Sequence, residues 1–164
     1  MDVEELYRRY AAGERDFSGV DLSYANLNIA KVKYPEHLKP SLNDLSGINL
    51  SGANLRRAKL NFVNLSGANL SSANLDSATL SCTILTGANM QKAILECAKI
   101  ECHLIEVDLR EANLHSATLF GTDLSRANLM GARFQVGVVE YLIFNETIMP
   151  DGTINSQKWP ERKY

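Results

Sequence analysis

The sequence predicts an all-β solenoid, a four-sided parallel β-helix capped at its N-terminus by a helix. Three observations carry this. An apolar residue recurs every five positions, a small residue stands two places before it, and glycines return at one phase of the repeat after twenty residues. From Leu45 to Ile100 the recurring residue, here called the centre, is Leu in ten of twelve words, with Met90 and Ile100 as the exceptions. The residue two before it is Ala in eight words, as at Ala53, Ala68 and Ala93. An earlier block has centres at Phe17, Leu22, Leu27 and Val32, and a later one runs from Leu104 to Met149.

A five-residue word fits neither regular element. Apolar gaps of two and three spread around every side of a helix of about 3.6 residues per turn, and they lose phase with a two-residue strand after one word. The chain must therefore turn within each word. Ala-Asn-Leu reads as a short pleated segment with its first and third side chains inward and its second outward, and Ser-Gly or Ser-Ser makes the corner. Corner backbone groups find partners only on neighbouring coils, so coils stack at about 4.8 Å. Gly47, Gly67 and Gly87 share one corner position at intervals of twenty, which four words per coil would align.

The chain divides into a helix over residues 1–14, the repeat over 15–149 and a tail over 150–164. Val3, Leu6, Tyr7 and Tyr10 form one apolar stripe, Asp2 and Glu5 suit a capping box, and Gly13 suits the stop. Such a helix protects the otherwise open edge of the first coil. Two breaks interrupt the phase. Thirteen residues separate Val32 from Leu45, so eight extra residues are expected to bulge at a corner over about 33–43, around Pro35 and Pro40. On that count Val32 closes the first coil and Leu45 opens the second. Only four residues separate Ile100 from Leu104, so one is missing at "IECHL" and a local kink is expected.

The stretch "SGANLRRAKLNFVNLSGANLSSANL", Ser51 to Leu75, resembles the pentapeptide-repeat family, whose word is A-(D/N)-L-x-x. The likeness extends over residues 16–149, with "REANL", "FGTDL" and "SRANL" matching well and "VGVVEYLIF" weakly. It implies a right-handed quadrilateral β-helix. The N-terminal helix and "TIMPDGTI" resemble cyanobacterial members, among which is a regulator of heterocyst differentiation, and this implies a regulatory role. Another branch of the family resembles B-DNA and binds DNA gyrase, which implies the alternative of a DNA mimic.

Composition narrows the function classes. The 17 basic and 19 acidic side chains nearly cancel, so neither a nucleic-acid footprint nor a membrane-seeking face is expected. Duplex DNA carries one charge per about 1.7 Å, so a rod of about 30 Å would need about eighteen to imitate it. Between Asp16 and Met149 there are thirteen acids against eleven bases. No run of about eighteen apolar residues and no secretory leader pattern is present, which predicts a cytoplasmic protein. The odd set Cys82, Cys97 and Cys102 suits reduced thiols there. Cys82 and Cys102 both follow centres on one side, a coil apart, at a spacing that a disulfide could span.

No catalytic, metal or cofactor site is expected. His37 lies in the insertion, while His103 and His115 fall two sides apart, so the histidines do not converge. Glu96, Glu101, Glu106, Asp108 and Glu111 are expected to form an acidic belt near the missing residue, with Arg110 among them. Arg56, Arg57 and Lys59 make a small basic spot nearer the other end. Outward Ile84, Ile94 and Ile105 replace the usual polar residues, and Phe62, Phe120, Met130, Val138 and Tyr141 also point out. Apolar groups with a charged rim are the anatomy of a protein interface. The sequence therefore predicts a non-enzymatic scaffold, a monomer or weak dimer, that binds a protein through Ile84, Ile94, Ile105 and the acidic run. The insertion, with Tyr34, His37 and Leu38, is the second candidate.

Overall fold

The computed structural model describes residues 1–28 and 43–157. Helix α1, Val3–Ala11, begins where the Asp2 side chain accepts the Glu5 N–H at 2.7 Å. The Glu5 carboxylate engages Arg8 one turn on rather than returning to the cap. Leu6, Tyr7 and Tyr10 are buried against the first coil. The helix is tied down by two phenols, Tyr7 donating to the Leu27 carbonyl at 2.9 Å and Tyr10 to that of Ser46 at 2.7 Å.

Beyond the helix the chain winds four walls. The first stacks Phe17, Leu50, Leu70, Met90, Leu109 and Leu129, and the second Leu22, Leu55, Leu75, Leu95, Leu114 and Phe134. The third carries Leu27, Leu60, Leu80, Ile100, Leu119 and Val139, and the fourth Leu45, Leu65, Leu85, Leu104, Leu124 and Phe144. Centres and the alanines two before them fill the interior; both positions are buried in every word from Leu45 to Leu129. On the third wall the backbone is regular enough for strands β1 (Thr79–Ser81), β2 (Lys99–Glu101), β3 (Thr118–Phe120) and β4 (Val138–Glu140), all parallel and in that order.

A corner of the full word is a turn locked from three directions. After Leu50, the Ala53 N–H returns to the Leu50 carbonyl at 3.1 Å, and the Gly52 N–H reaches the next coil at the Ser71 carbonyl, 2.8 Å away. The Asn49 side chain accepts the Ser51 N–H at 3.1 Å. Asn64, Asn69, Asn74 and Asn89 repeat this last bond. The outward Asn of the word is thus a corner cap, which explains its preference over other polar residues. The second corner residue is left-handed: Gly47, Gly67 and Gly87 take it freely at φ between 64° and 67°, while Ser72, Lys92 and Glu111 take it at a steric cost.

The insertion enters at a different place from that expected. Asp16 pairs with Asn49, 33 residues on, so Phe17 stacks on Leu50. Leu45 therefore completes the fourth wall of the first coil instead of opening the second, and thirteen residues are inserted rather than eight. Apolar spacing alone could not distinguish Val32 from Leu45 as the residue facing the core. Val32, Tyr34, Pro35, His37, Leu38 and Pro40 lie outside the described residues. The shortened word is present as expected: Asn89 pairs with Asp108 and Ile94 with Asn113, nineteen residues apart, and the interval returns to twenty at Asp108 and Asn128. At the other end, β5 (Thr147–Ile148) turns through Pro150–Gly152 and pairs antiparallel with β6 (Ile154–Asn155). Trp159 lies outside the described residues.

Candidate functional site

The missing residue makes a recess. At the corner between the third and fourth walls, the left-handed column runs Phe62, Cys82, Gly121, Tyr141, and the coil between Cys82 and Gly121 contributes no residue to it. Cys102, two after Ile100, is also two before Leu104, so it is drawn into the inward place and is only 5% exposed. The bridges of the fourth wall, Asn64 to Ile84 and Asp123 to Ile143, skip His103. The result is an open depression of about 370 Å³ lined by Cys82, Thr83, Ile84, Thr86, Glu101, Cys102, His103, Ile105 and Gly121.

Its floor and lip differ in chemistry. Thr83 and Thr122 stand where the word puts Ala, and their hydroxyls donate inward to the Leu60 and Ile100 carbonyls at 2.9 and 3.3 Å. Both are buried, so their hydroxyls are spent on the wall and not offered to the opening. Ile84 is 51% exposed on the fourth wall, and Ile105 is half-buried at the next corner. Phe62 is 62% exposed opposite Cys82, and Phe120 packs edge-on against Tyr141 with ring centroids 5.8 Å apart. These exposed aromatics adjoin the lining residues Cys82 and Gly121. On its polar rim, Glu101 accepts from Lys99 at 2.8 Å and Ser81 at 2.7 Å. The Lys99 contact, and then that of Ser81, hold its carboxyl below the ordinary glutamate range.

The three isoleucines do not form one patch. Ile84 and Ile105 share the depression, whereas Ile94 lies on the second wall, the opposite side, between Asn74 and Asn113. Neighbouring words are a quarter-turn apart, so two words separate opposite walls. The acids are likewise dispersed. Glu96 lies at the corner after the second wall, Glu101 after the third, Glu106 after the fourth and Glu111 after the first, with Asp108 on the first wall itself. They encircle the rod, and four have cationic partners: Lys99 with Glu101, Arg126 with Glu106, Arg110 with Asp108 and Lys92 with Glu111. Glu96 lies 3.5 Å from the Asn113 amide. The belt presents alternating charge, not a negative face. The basic spot is also engaged, Arg56 with Asp76 and Arg57 over the Tyr24 ring. His103 and His115 remain on opposite sides, the one exposed and the other with a buried, unpartnered Nδ1. The recess was signalled in the sequence only by the short word.

The pentapeptide-repeat profile matches eight copies over residues 44–71, 68–101 and 100–135. The chain belongs to the pentapeptide-repeat family. As a pentapeptide-repeat protein it is similar to the solved structure of Rfr23 from the cyanobacterium Cyanothece 51142, with 29% identity, 85% of this chain and 96% of that one covered, and a TM-score of 0.48. A second pentapeptide-repeat protein, alr5209 from Nostoc PCC 7120, is 30% identical over 74% of this chain and 80% of its own, with a TM-score of 0.34. HetL from Nostoc sp. strain PCC 7120, described as involved in heterocyst differentiation regulation, is 24% identical over 94% and 100% of the two chains, with a TM-score of 0.30. No protein with curated annotation is similar enough to count as a match. The pentapeptide repeat supplies the right-handed quadrilateral β-helix seen in the stacked walls, and no helix among the described residues is long and apolar enough to cross a membrane.

Proposed function

We propose that this pentapeptide-repeat protein is a non-enzymatic cytoplasmic scaffold that docks a regulatory protein partner on its fourth wall, taking an aliphatic or aromatic anchor side chain into the depression. One observation carries the reading. Ile84 stands where the word places a corner-capping Asn, so the chain forgoes that bond to set an exposed apolar group on the lip of the recess. An apolar pocket beside aromatic groups, with charge at its margin, is the arrangement in which interface energy concentrates. The acids support binding rather than acid–base chemistry, because Glu101, Glu106 and Asp108 are each held in an ion pair and lie on different sides of the rod instead of facing one another.

The test compares capture of native-lysate proteins by the parent chain and by Ile84→Asn/Ile105→Ser, with Ile94→Asn as the opposite-wall control. Specific proteins retained by parent and control, but reduced about tenfold by the double variant, support the reading; that loss corresponds to about 1.4 kcal/mol. Equal capture by all three would refute it. The DNA-mimic alternative has no comparable feature in its favour, since bases accompany the acids along the rod, with Asp76, Glu101, Glu106, Asp108 and Glu111 each in an ion pair.

A further inference from the structure

The depression also holds two of the three thiols. The Cys82 N–H donates to the Glu101 carbonyl at 3.0 Å, and Ser81 pairs in register with Glu101. In a parallel ladder this sets Cys82 and Cys102 each one residue beyond the Ser81–Glu101 pair, whose strands run about 4.8 Å apart, inside the Cα range of about 4.4–6.8 Å that disulfides span. Both are free thiols, Cys82 exposed and Cys102 buried. Both residues line the open recess.

We propose that Cys82 and Cys102 form an oxidation-responsive dithiol, in which a hydroperoxide oxidises Cys82 and Cys102 then closes a reversible disulfide across the depression. The Cys82 sulfur attacks one peroxide oxygen, the O–O bond breaks, and Cys82 becomes a sulfenic acid as the first water leaves. The Cys102 sulfur attacks the sulfenyl sulfur, the S–O bond breaks, and the departing hydroxyl takes the thiol proton as a second water. Two thiols and one hydrogen peroxide thus give one disulfide and two waters, with two electrons passing from sulfur to oxygen. The order follows from exposure. Burial, with the neighbouring Cys82 adding a smaller effect, pushes the Cys102 thiol up to about 12, so the thiol that meets the oxidant is Cys82.

Cys97 is a control built into the same chain. It occupies the same left-handed corner position, at φ 54° against 55° for Cys82, and it is also exposed. Its N–H donates to the His115 carbonyl, which places it opposite Ser116. It has the accessibility of Cys82 without a thiol across the ladder.

This inference needs no partner protein and stands apart from the docking reading. Reduced full-length protein at low concentration is treated with hydrogen peroxide, unfolded in N-ethylmaleimide and mapped by mass spectrometry. The expected result is an intramolecular Cys82–Cys102 link, an intact mass lower by two hydrogens, and full reversal by dithiothreitol, with Cys97 outside any intramolecular bridge. Cys102→Ala restores the residue that the word favours and should retain the fold by circular dichroism; its Cys82 should accumulate as a dimedone-reactive sulfenic acid. Oxidation of Cys82 to sulfinic acid while Cys102 stays fully alkylatable overturns the proposal, as does equal dimedone labelling of Cys82 in the parent and Cys102→Ala chains.

Discussion

Phe17 lies one coil from Leu50 although 33 residues separate them, its N–H donating to the Asn49 carbonyl at 2.8 Å. Asn26 pairs with Lys59, also 33 residues on, and Asp44 with Asn64, 20 on, so the insertion lies between the third and fourth walls of the first coil. On either side of it the chain is anchored to the second coil, by Leu27 N–H to the Lys59 carbonyl and by Leu45 N–H to that of Asn64.

Because both anchors are made by residues outside 34–40, replacing residues 34–40 by a short Gly-Ser linker is expected to leave the fold intact. Loop-closure entropy changes slowly with length. Circular dichroism and urea unfolding should retain their shape and cooperativity; loss of either would show that the insertion supports the walls.

The interior is narrow, and its tolerance should follow the faces. Ala73 is wholly buried between neighbouring coils, whereas Ser71 is at a corner. Ala73→Leu is expected to cost about 1–3 kcal/mol by overpacking, and Ser71→Lys less than about 0.5 kcal/mol. Equal melting shifts would contradict the assignment of inward and outward positions.

Ile94 lies where Asn74 and Asn113 cap their corners on the same wall. Ile94→Asn should supply the missing acceptor to the Glu96 N–H and raise stability by up to about 1 kcal/mol, the net worth of one such hydrogen bond. Denaturant midpoints measure this directly. A variant less stable than the parent would mean that the isoleucine contributes more by packing across the wall than a cap does.

Asp16 and Asp21 cap the first coil as carboxylates, and the N–H groups of Ser18 and Ser23 respectively hold their carboxyls below the ordinary aspartate range. A depressed folded-state pKa contributes stability that is present above the unfolded value of about 3.9 and is lost as pH falls through the folded one. Acid should therefore weaken the helix-capped end below about pH 4. Asp16→Asn/Asp21→Asn keeps the amide acceptor and removes the titration, so the melting temperature should fall less between pH 5 and pH 3 than in the parent. Parallel curves would assign the acid sensitivity elsewhere.

The five-residue word by itself determined the coil, its inward Leu and Ala, its corners and its closure after four words. Each of these is a local requirement repeated at one period, and misplacing one would bury or expose the same group in every coil. The helix was legible for a similar reason, since Leu6, Tyr7 and Tyr10 fall on one stripe. Only the tertiary structure decided how distant words meet. It placed Leu45 on the fourth wall of the first coil, set Ile84 and Ile94 on opposite sides, paired Glu106 and Glu111 with Arg126 and Lys92 from neighbouring coils, and opened a recess where "IECHL" runs short. Stacking depends on the accumulated turn of the chain, so one missing or thirteen inserted residues change which side chains become neighbours without altering the pattern within any word.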